Sequence, residues 1–299
     1  MNLTTYGIAG LALISALGMG CSDGKDSDRG ATGSLSLSVT DAPVDNLLSV
    51  FISFTGVTLQ AADGKRTDIV FPQPKTLDLL TLQNGMSHAL LEDVVLPAGA
   101  YSWMRLDLSE QAGDLTVVDD LGGEYLMTVP SGAQTGLKLV GGFTILANGQ
   151  SDFTIDFDLR KSVTLTGKDA GKGDYVLRPT LRLIDNAEAG GIGGMIATTT
   201  MQAACTNEPL YHGVVYVFEG LDRSIEDYNA ETGGALVAVP VIDSDNDGNF
   251  NYTAAFLPAG DYTVAYTCDI DDLAVDESLV FTAPANATVI AGGSATVNF

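Results

Sequence analysis

Basic residues are scarce in this chain: 14 Lys and Arg stand against 38 Asp and Glu in 299 residues, a formal net charge of -24 and an isoelectric point near 4.1. A field of that sign repels phosphate backbones and anionic headgroups, which excludes nucleic acid as a partner. It leaves divalent cations, a basic ligand, or plain solubility in a salty habitat as its reason, the last being the default. Histidine is scarcer still. His88 and His212 fall in opposite halves, so neither a histidine-rich zinc site nor a Ser-His mechanism has its material, and no G-x-S-x-G elbow offers a nucleophile. No catalytic residues are assigned. Paired carboxylates for glycoside hydrolysis are available by abundance alone, which is no signal. Beyond the first 20 residues there is no apolar run long enough to cross a bilayer.

What is present points to an all-β chain. Its length suits two domains, each with its own core. A hydrophobic share of 45%, a charged share of only 17% and 34 glycines suit short strands joined by tight turns. Alternation of apolar and polar residues predicts strands at 34–40, 50–60, 101–109, 124–130, 136–146, 152–160 and 175–184, then from 190 through HGVVYVFEG, ALVAVPVID, NFNYTAAFL, DYTVAYTC, ESLVFTA and ATVNF. Apolar density between Leu77 and Leu91 is the one place for a short helix. Turns every 8 to 12 residues indicate sandwiches. The expected organisation is 1–20 signal peptide, 21–33 acylated cysteine and tether, 34–187 first sandwich and 190–299 second sandwich, with the boundary in the Gly-rich stretch 186–194. Divided at residue 190, the halves carry -10 and -14, and Arg223 is the sole basic residue of the second.

The stretch Gly7–Gly20 has the length of a signal-peptide core. Small residues at Gly18 and Gly20 directly before Cys21 resemble the lipobox of bacterial lipoproteins, although Leu17 sits one place further back than that pattern has it and MNLTTY carries no basic residue. The resemblance implies that Cys21 is acylated and holds the chain to a lipid bilayer, and Ser22 resembles the sorting signal for the outer membrane; the alternative is an ordinary signal cut nearby. Exported cysteines meet an oxidising compartment, so Cys205 and Cys268 are expected to form a disulfide, two buried thiols being the alternative.

The motif LPAGAY (96–101) returns as LPAGDY (257–262), each leading into an alternating strand. With VTDAPVD (39–45), LPAGAYSWMRLDL (96–108), VPSGAQTGLKL (129–139), DFDLRKSV (156–163) and YVLRPTLRLI (175–184) in order, residues 32–187 resemble the bacterial envelope family catalogued as domain of unknown function 4382. That resemblance implies a lipoprotein β-sandwich without assigned chemistry. The second half resembles the carboxypeptidase-regulatory or transthyretin-like sandwich through GGIGGMI, DGNFNYTAAFLPAGDYTVAY and VIAGGSATVNF, which implies an accessory or adhesion-type module. The fold class expected is two antiparallel immunoglobulin-like or prealbumin-like sandwiches in tandem.

Three groups of residues could carry binding. Trp103, with Tyr101 and Arg105 on the same strand face, could make a sugar-stacking platform, the alternative being aromatics that cap a core; Arg178 and Arg182, with Arg105 and Lys138, could line a site for an anionic or carbohydrate ligand, the alternative being a structural ladder of ion pairs. On the strands 152–160 and 175–184, Asp156, Asp158 and Arg160 on the first and Arg178 and Arg182 on the second fall on the face away from the apolar residues, where cross-strand pairing of the arginines of the second with the two aspartates is natural. Asp243, Asp245 and Asp247, followed by Gly248, match the first half of an EF-hand-type loop, but Ala254 stands where the closing Glu belongs. Calcium there would need further ligands, for which Asp269, Asp271 and Asp272 are candidates, and the same residues suit any hairpin turn. The chain thus reads as a noncatalytic envelope lipoprotein that binds a glycan or a protein partner. The alternatives are a structural component or fibre subunit and, last, an enzyme acting on extracellular polymer.

Overall fold

The computed structural model describes residues 30–42, 47–130, 136–166, 174–205, 212–228, 234–243, 247–271 and 278–299. The signal stretch, Cys21, Asp245 and Asp272 lie outside them. Ala31–Phe299 forms one compact unit that is almost entirely β-structure.

Four sheets account for it. The first has the order β13 (Leu181–Asp185), β10 (Gln150–Asp158), β1 (Thr32–Ala42), β4 (His88–Pro97). The second is centred on the 15-residue β2 (Leu47–Ala61). Along one edge of β2 run β5 (Gly99–Leu108) and β6 (Leu115–Asp119), and β3 (Arg66–Asp78) pairs with its other edge. This sheet is extended by β8 (Leu137–Leu139) and β9 (Phe143–Ile145) beside β5, and by β7 (Glu124–Thr128), β12 (Asp174–Leu177) and β11 (Val163–Thr166) beside β6. The two sheets face each other through Leu35, Leu37 and Val39 of β1, Phe153, Ile155 and Phe157 of β10, and Ile52, Phe54 and Val57 of β2, all in one buried cluster. The rings of Phe54 and Phe157 meet edge to face at 6.2 Å.

Residues 189–299 build the other two sheets, β17 (Phe250–Pro258), β14 (Ala189–Ile196), β20 (Ser294–Thr296) and β16 (Val237–Pro240), β15 (Val214–Glu219), β18 (Gly260–Thr267), β19 (Ala285–Val289). Ile192, Tyr252 and Ala254 from one pack with Val215, Val217 and Val264 from the other. The all-β sandwich expected from alternation is therefore present. Most ladders are antiparallel, but β1 with β10, β7 with β12 and β14 with β20 are parallel.

Some local expectations change. Leu77–Leu91 holds only a three-residue 3-10 turn at Leu79–Thr81 before β4 begins. Asp78 accepts from the Leu80 amide and caps that turn, and Asn84-Gly85, with φ of 55° and 82°, makes the tight turn that ends helical winding. ESLVFTA contributes a single bridge, Thr267 to Phe281, instead of a strand. The run 175–184 divides at Pro179: β12 joins the second sheet and β13 the first, as a residue without an amide proton allows. Pro72 and Pro74 interrupt β3, which bulges between its two stretches of pairing with β2; edge strands use such residues to refuse further pairing. The twin LPAG motifs behave alike, Tyr101 donating to the Pro97 carbonyl at 2.9 Å and Tyr262 to the Pro258 carbonyl at 2.6 Å. Only the first uses a positive φ at its glycine, Gly99 at 137°.

The glycines of β14 are there for close approach. A Cβ on Gly194 would overlap the Val297 carbonyl, which already accepts the buried Tyr252 hydroxyl at 2.8 Å. Gly194→Ala is expected to cost about 1–3 kcal/mol and to loosen β20, seen as faster hydrogen exchange at Val297 and Phe299, whose amides bond to Gly193 and Met195.

Candidate functional site

The outward residues of β5 form the first candidate. Trp103, Arg105 and Asp107 are half-buried there, while Met104 and Leu106 point into the core. Tyr101 does not join them: the register shifts between Gln60 and Ala61 of β2, so Tyr101 turns inward and stacks on Phe143 at 5.1 Å. The three-residue aromatic and cationic row read from the sequence is corrected to Trp103 and Arg105. Arg105 is occupied: its Nε meets Asp107 Oδ1 at 2.5 Å and its Nη2 donates to Thr58 Oγ1 at 3.1 Å. Thr58 Oγ1 lies 2.8 Å from both Asp68 and Asp107, and Arg66 Nε closes the row on Asp68 at 2.7 Å. Hydrogen bonds from Arg66 and Thr58 hold the Asp68 carboxyl below its ordinary range. Arg105 thus belongs to a ladder of the structural kind. Lys138 does not. Its ammonium sits 4.3 Å from the Trp103 ring centroid, a cation-π contact, with no acidic partner among the described residues.

Lys138 also rims an open cleft of about 830 Å³. The cleft separates the β8-β9 edge from β13; Leu139, Phe143, Phe153, Leu181 and Leu183 are among its lining, and Pro258 enters from the second half. Its size is that of a small-ligand site, and polar groups, among them Gln150, Ser151, Asp152, Asp185 and Glu188, share the lining with the apolar ones.

Arg178 and Arg182 lie elsewhere, so the residues expected to bind ligand are not brought together. Arg178 is exposed and donates to Thr164 Oγ1 at 3.2 Å. Arg182 sits opposite Asp156 in the β10-β13 ladder and binds it through both Nε, at 2.9 Å, and Nη2. Burial pushes the Asp156 carboxyl above its ordinary range while Arg182 pulls the other way. Asp158 takes Lys161 instead of an arginine, capping the short helix α1 (Leu159–Ser162) through the Lys161 amide at 3.1 Å.

This charged face of β10 is not a solvated one. Thr154, Asp156, Asp158 and Arg160 are all buried. At its α1 end the chain's second half closes over it. Arg160, with a side chain 0% exposed, reaches Asp271 at 3.4 Å and Tyr216 Oη at 3.3 Å, and the Tyr216 hydroxyl donates to Asp271. The Arg160 guanidinium lies 5.4 Å from the Tyr228 ring centroid and Lys161 Nζ 4.4 Å from it. Burial first, then the charge of Asp158, raises the Tyr228 hydroxyl well above its ordinary value. The outward residues of β15, Val214, Tyr216 and Phe218, form a separate buried cluster with Tyr228, Ala235 and Ala238. Sequence reasoning missed this group. Its signal was the unbroken apolar run VVYVF, since a strand buried on both faces does not alternate.

The acidic turn and the cysteines complete the set. Asp243 accepts the amides of Asp247 and Gly248, each at 3.0 Å, and Asp247 accepts the Asn249 amide at 2.8 Å and side chain at 2.6 Å. Both described carboxylates of the turn therefore hold the turn itself. Of the further ligands considered, Asp271 is committed to Arg160 and Tyr216, and Asp269 accepts the Val280 amide at 2.6 Å. Among the described residues no three His, Cys, Asp or Glu side chains are grouped to hold a metal. Cys205 and Cys268 form a disulfide with Cα atoms 5.2 Å apart. No described helix is long and apolar enough to cross a membrane.

Residues 32–179 match the family model described as Domain of unknown function (DUF4382). Nothing among curated proteins matches the sequence. Among solved structures, a leucine-rich repeat protein from Bacteroides thetaiotaomicron aligns with 90% of this chain and 26% of its own, at 12% identity and a TM-score of 0.23. The Bacillus anthracis TIE protein aligns with 90% and 34%, at 12% identity and 0.20. The minor pilin GBS52 of Streptococcus agalactiae aligns with 88% and 94%, at 12% and 0.21. The chain spans about a quarter to a third of the length of the first two.

Proposed function

We propose, taking residues 32–179 as a domain of the DUF4382 family, that the chain is a noncatalytic binding module held at the cell envelope through lipidated Cys21, with a surface glycan as its ligand. The observation that carries this reading is Lys138 seated over Trp103 at the rim of the 830 Å³ cleft. An aromatic ring, a cation not engaged by an acid among the described residues and an adjoining cleft of mixed apolar and polar lining are what a sugar ring with polar edges requires. The Cys205–Cys268 disulfide supports an exported location, since such bonds persist in oxidising compartments.

The test is binding of the full chain in detergent micelles to a glycan array, in calcium and again in excess chelator. Retention of specific glycans that Trp103→Ala weakens tenfold or more supports the reading. Binding lost in chelator moves the site to the Asp243 turn. No retained glycan in either condition overturns it in favour of a structural role.

A further inference from the structure

A second cleft, of about 550 Å³, opens where the two halves meet, lined by Asp158, Lys161, Arg182, Glu219, Arg223 and Leu236 among others. Only 14 residues of the chain are basic, and one of them, Arg223, lies beyond residue 190. That one cation stands where two of the first half converge.

Arg223 is exposed, and the loop that carries it is held along its backbone. Gly220 has φ of 101° and Asp222 of 51°, the latter strained for a residue with a side chain. Two side chains, through four hydrogen bonds, hold this path. Thr263, 1% exposed, donates to the Gly220 carbonyl at 2.8 Å and accepts the Arg223 amide at 3.1 Å. Asn286 accepts the Asp222 amide at 3.0 Å and donates to its carboxylate at 2.7 Å. The stem of Arg223 passes so close to Gly220 that a Cβ there would stand 3.3 Å from Arg223 Cδ. Arg182 and Lys161 are balanced by Asp156 and Asp158, but the Arg223 guanidinium has no ion-pair partner among the described residues. Preorganised loops with strained backbone and a cation left unneutralised are characteristic of ligand sites.

We propose that this cleft binds a carboxylate-bearing saccharide of the uronic acid type, with Arg223 taking the carboxylate. The inference rests on the reading of the chain as a binding module and names a ligand class and a different site for it. One unneutralised, planar guanidinium matches one carboxylate in bidentate geometry. A phosphate dianion would bring a second charge beside Asp158 and Glu219, whereas those carboxylates are acceptors for sugar hydroxyl groups. The volume suits one or two sugar rings.

Isothermal titration of the full chain in detergent with digalacturonate, and with the neutral galactose disaccharide, tests this. Digalacturonate binding is expected to be at least tenfold tighter than that of the neutral sugar. Arg223→Ala is expected to lose tenfold or more, Arg223→Lys to keep part of the affinity, and Lys65→Ala, at an exposed turn remote from the cleft, to change nothing. Arg223→Ala should melt as the wild type does; if it does not, Arg223→Lys decides, and unchanged affinity in it overturns the proposal. So does equal binding of the neutral sugar, or no heat with digalacturonate. An array that retains some other glycan while digalacturonate fails leaves the module reading standing and sinks this one alone.

Discussion

Asp271→Ala is expected to destabilise the chain by about 3–5 kcal/mol at neutral pH, the usual cost of removing one partner from a buried ion pair. Arg160 and Asp271 are 0% and 2% exposed at their side chains, so solvent does not screen the pair. Replacing both, as Arg160→Met with Asp271→Leu, is expected to recover most of that loss, because the site is already surrounded by Tyr216, Tyr228 and Phe281. Urea unfolding of the two variants measures this, and a double variant as unstable as the single one would contradict it. The pair also carries a pH dependence. Burial raises the Asp271 carboxyl to about 6, with Asp227 pushing the same way and Tyr216 and Arg160 against. A pKa raised on folding favours the folded state while the group is protonated. The contribution is therefore complete below about pH 4, near the unfolded value, and is lost as the pH rises through about 6. Asp271→Asn should flatten the stability profile across that window relative to the wild type; parallel profiles would remove Asp271 from the account.

Cys205→Ser with Cys268→Ser is expected to cost about 4 kcal/mol, the loop-closure entropy for a bridge spanning 63 residues. The helix α2 (Thr198–Ala204) ends directly at Cys205 and has no buried residue of its own. The disulfide, a contact of Cys205 Sγ with Tyr266 Oη at 3.2 Å and the packing of half-buried Met201 against the core tie it to the sandwich. Reduction should accordingly raise hydrogen exchange in α2 well before β15 or β18 respond. Uniform exchange across the second half on reduction would show that the bridge guards the whole sandwich instead.

Much of the strand pattern was legible because one-sided burial writes itself as alternation: Leu35, Leu37 and Val39 faced inward as their spacing required. β3 was not, since Pro72 and Pro74 break the pattern that pairing with β2 nonetheless tolerates at an edge. Tyr101 shows how a bulge defeats period-two reasoning, turning one residue of an alternating row to the other face. The Arg182–Asp156 pair was legible from register, but the burial of that whole face was not. Polar residues at alternate positions announce that a face is polar; only packing says whether water or another module lies over it. The candidate surfaces were half legible for the same reason: Trp103 and Lys138 were named by type, and Arg223 required the loop around it.

The parallel ladders have a consequence for the order of assembly. β1, the first described strand, lies between β4 and β10, and its partner residues in β10 are more than a hundred positions later in the chain. β14 repeats the arrangement with β20. Each half opens with a strand whose neighbour is synthesised nearly last, a high contact order that slows folding. Under the exported location proposed above, that delay would keep the chain unfolded during translocation, because the tail of each module has to arrive before its head can be locked.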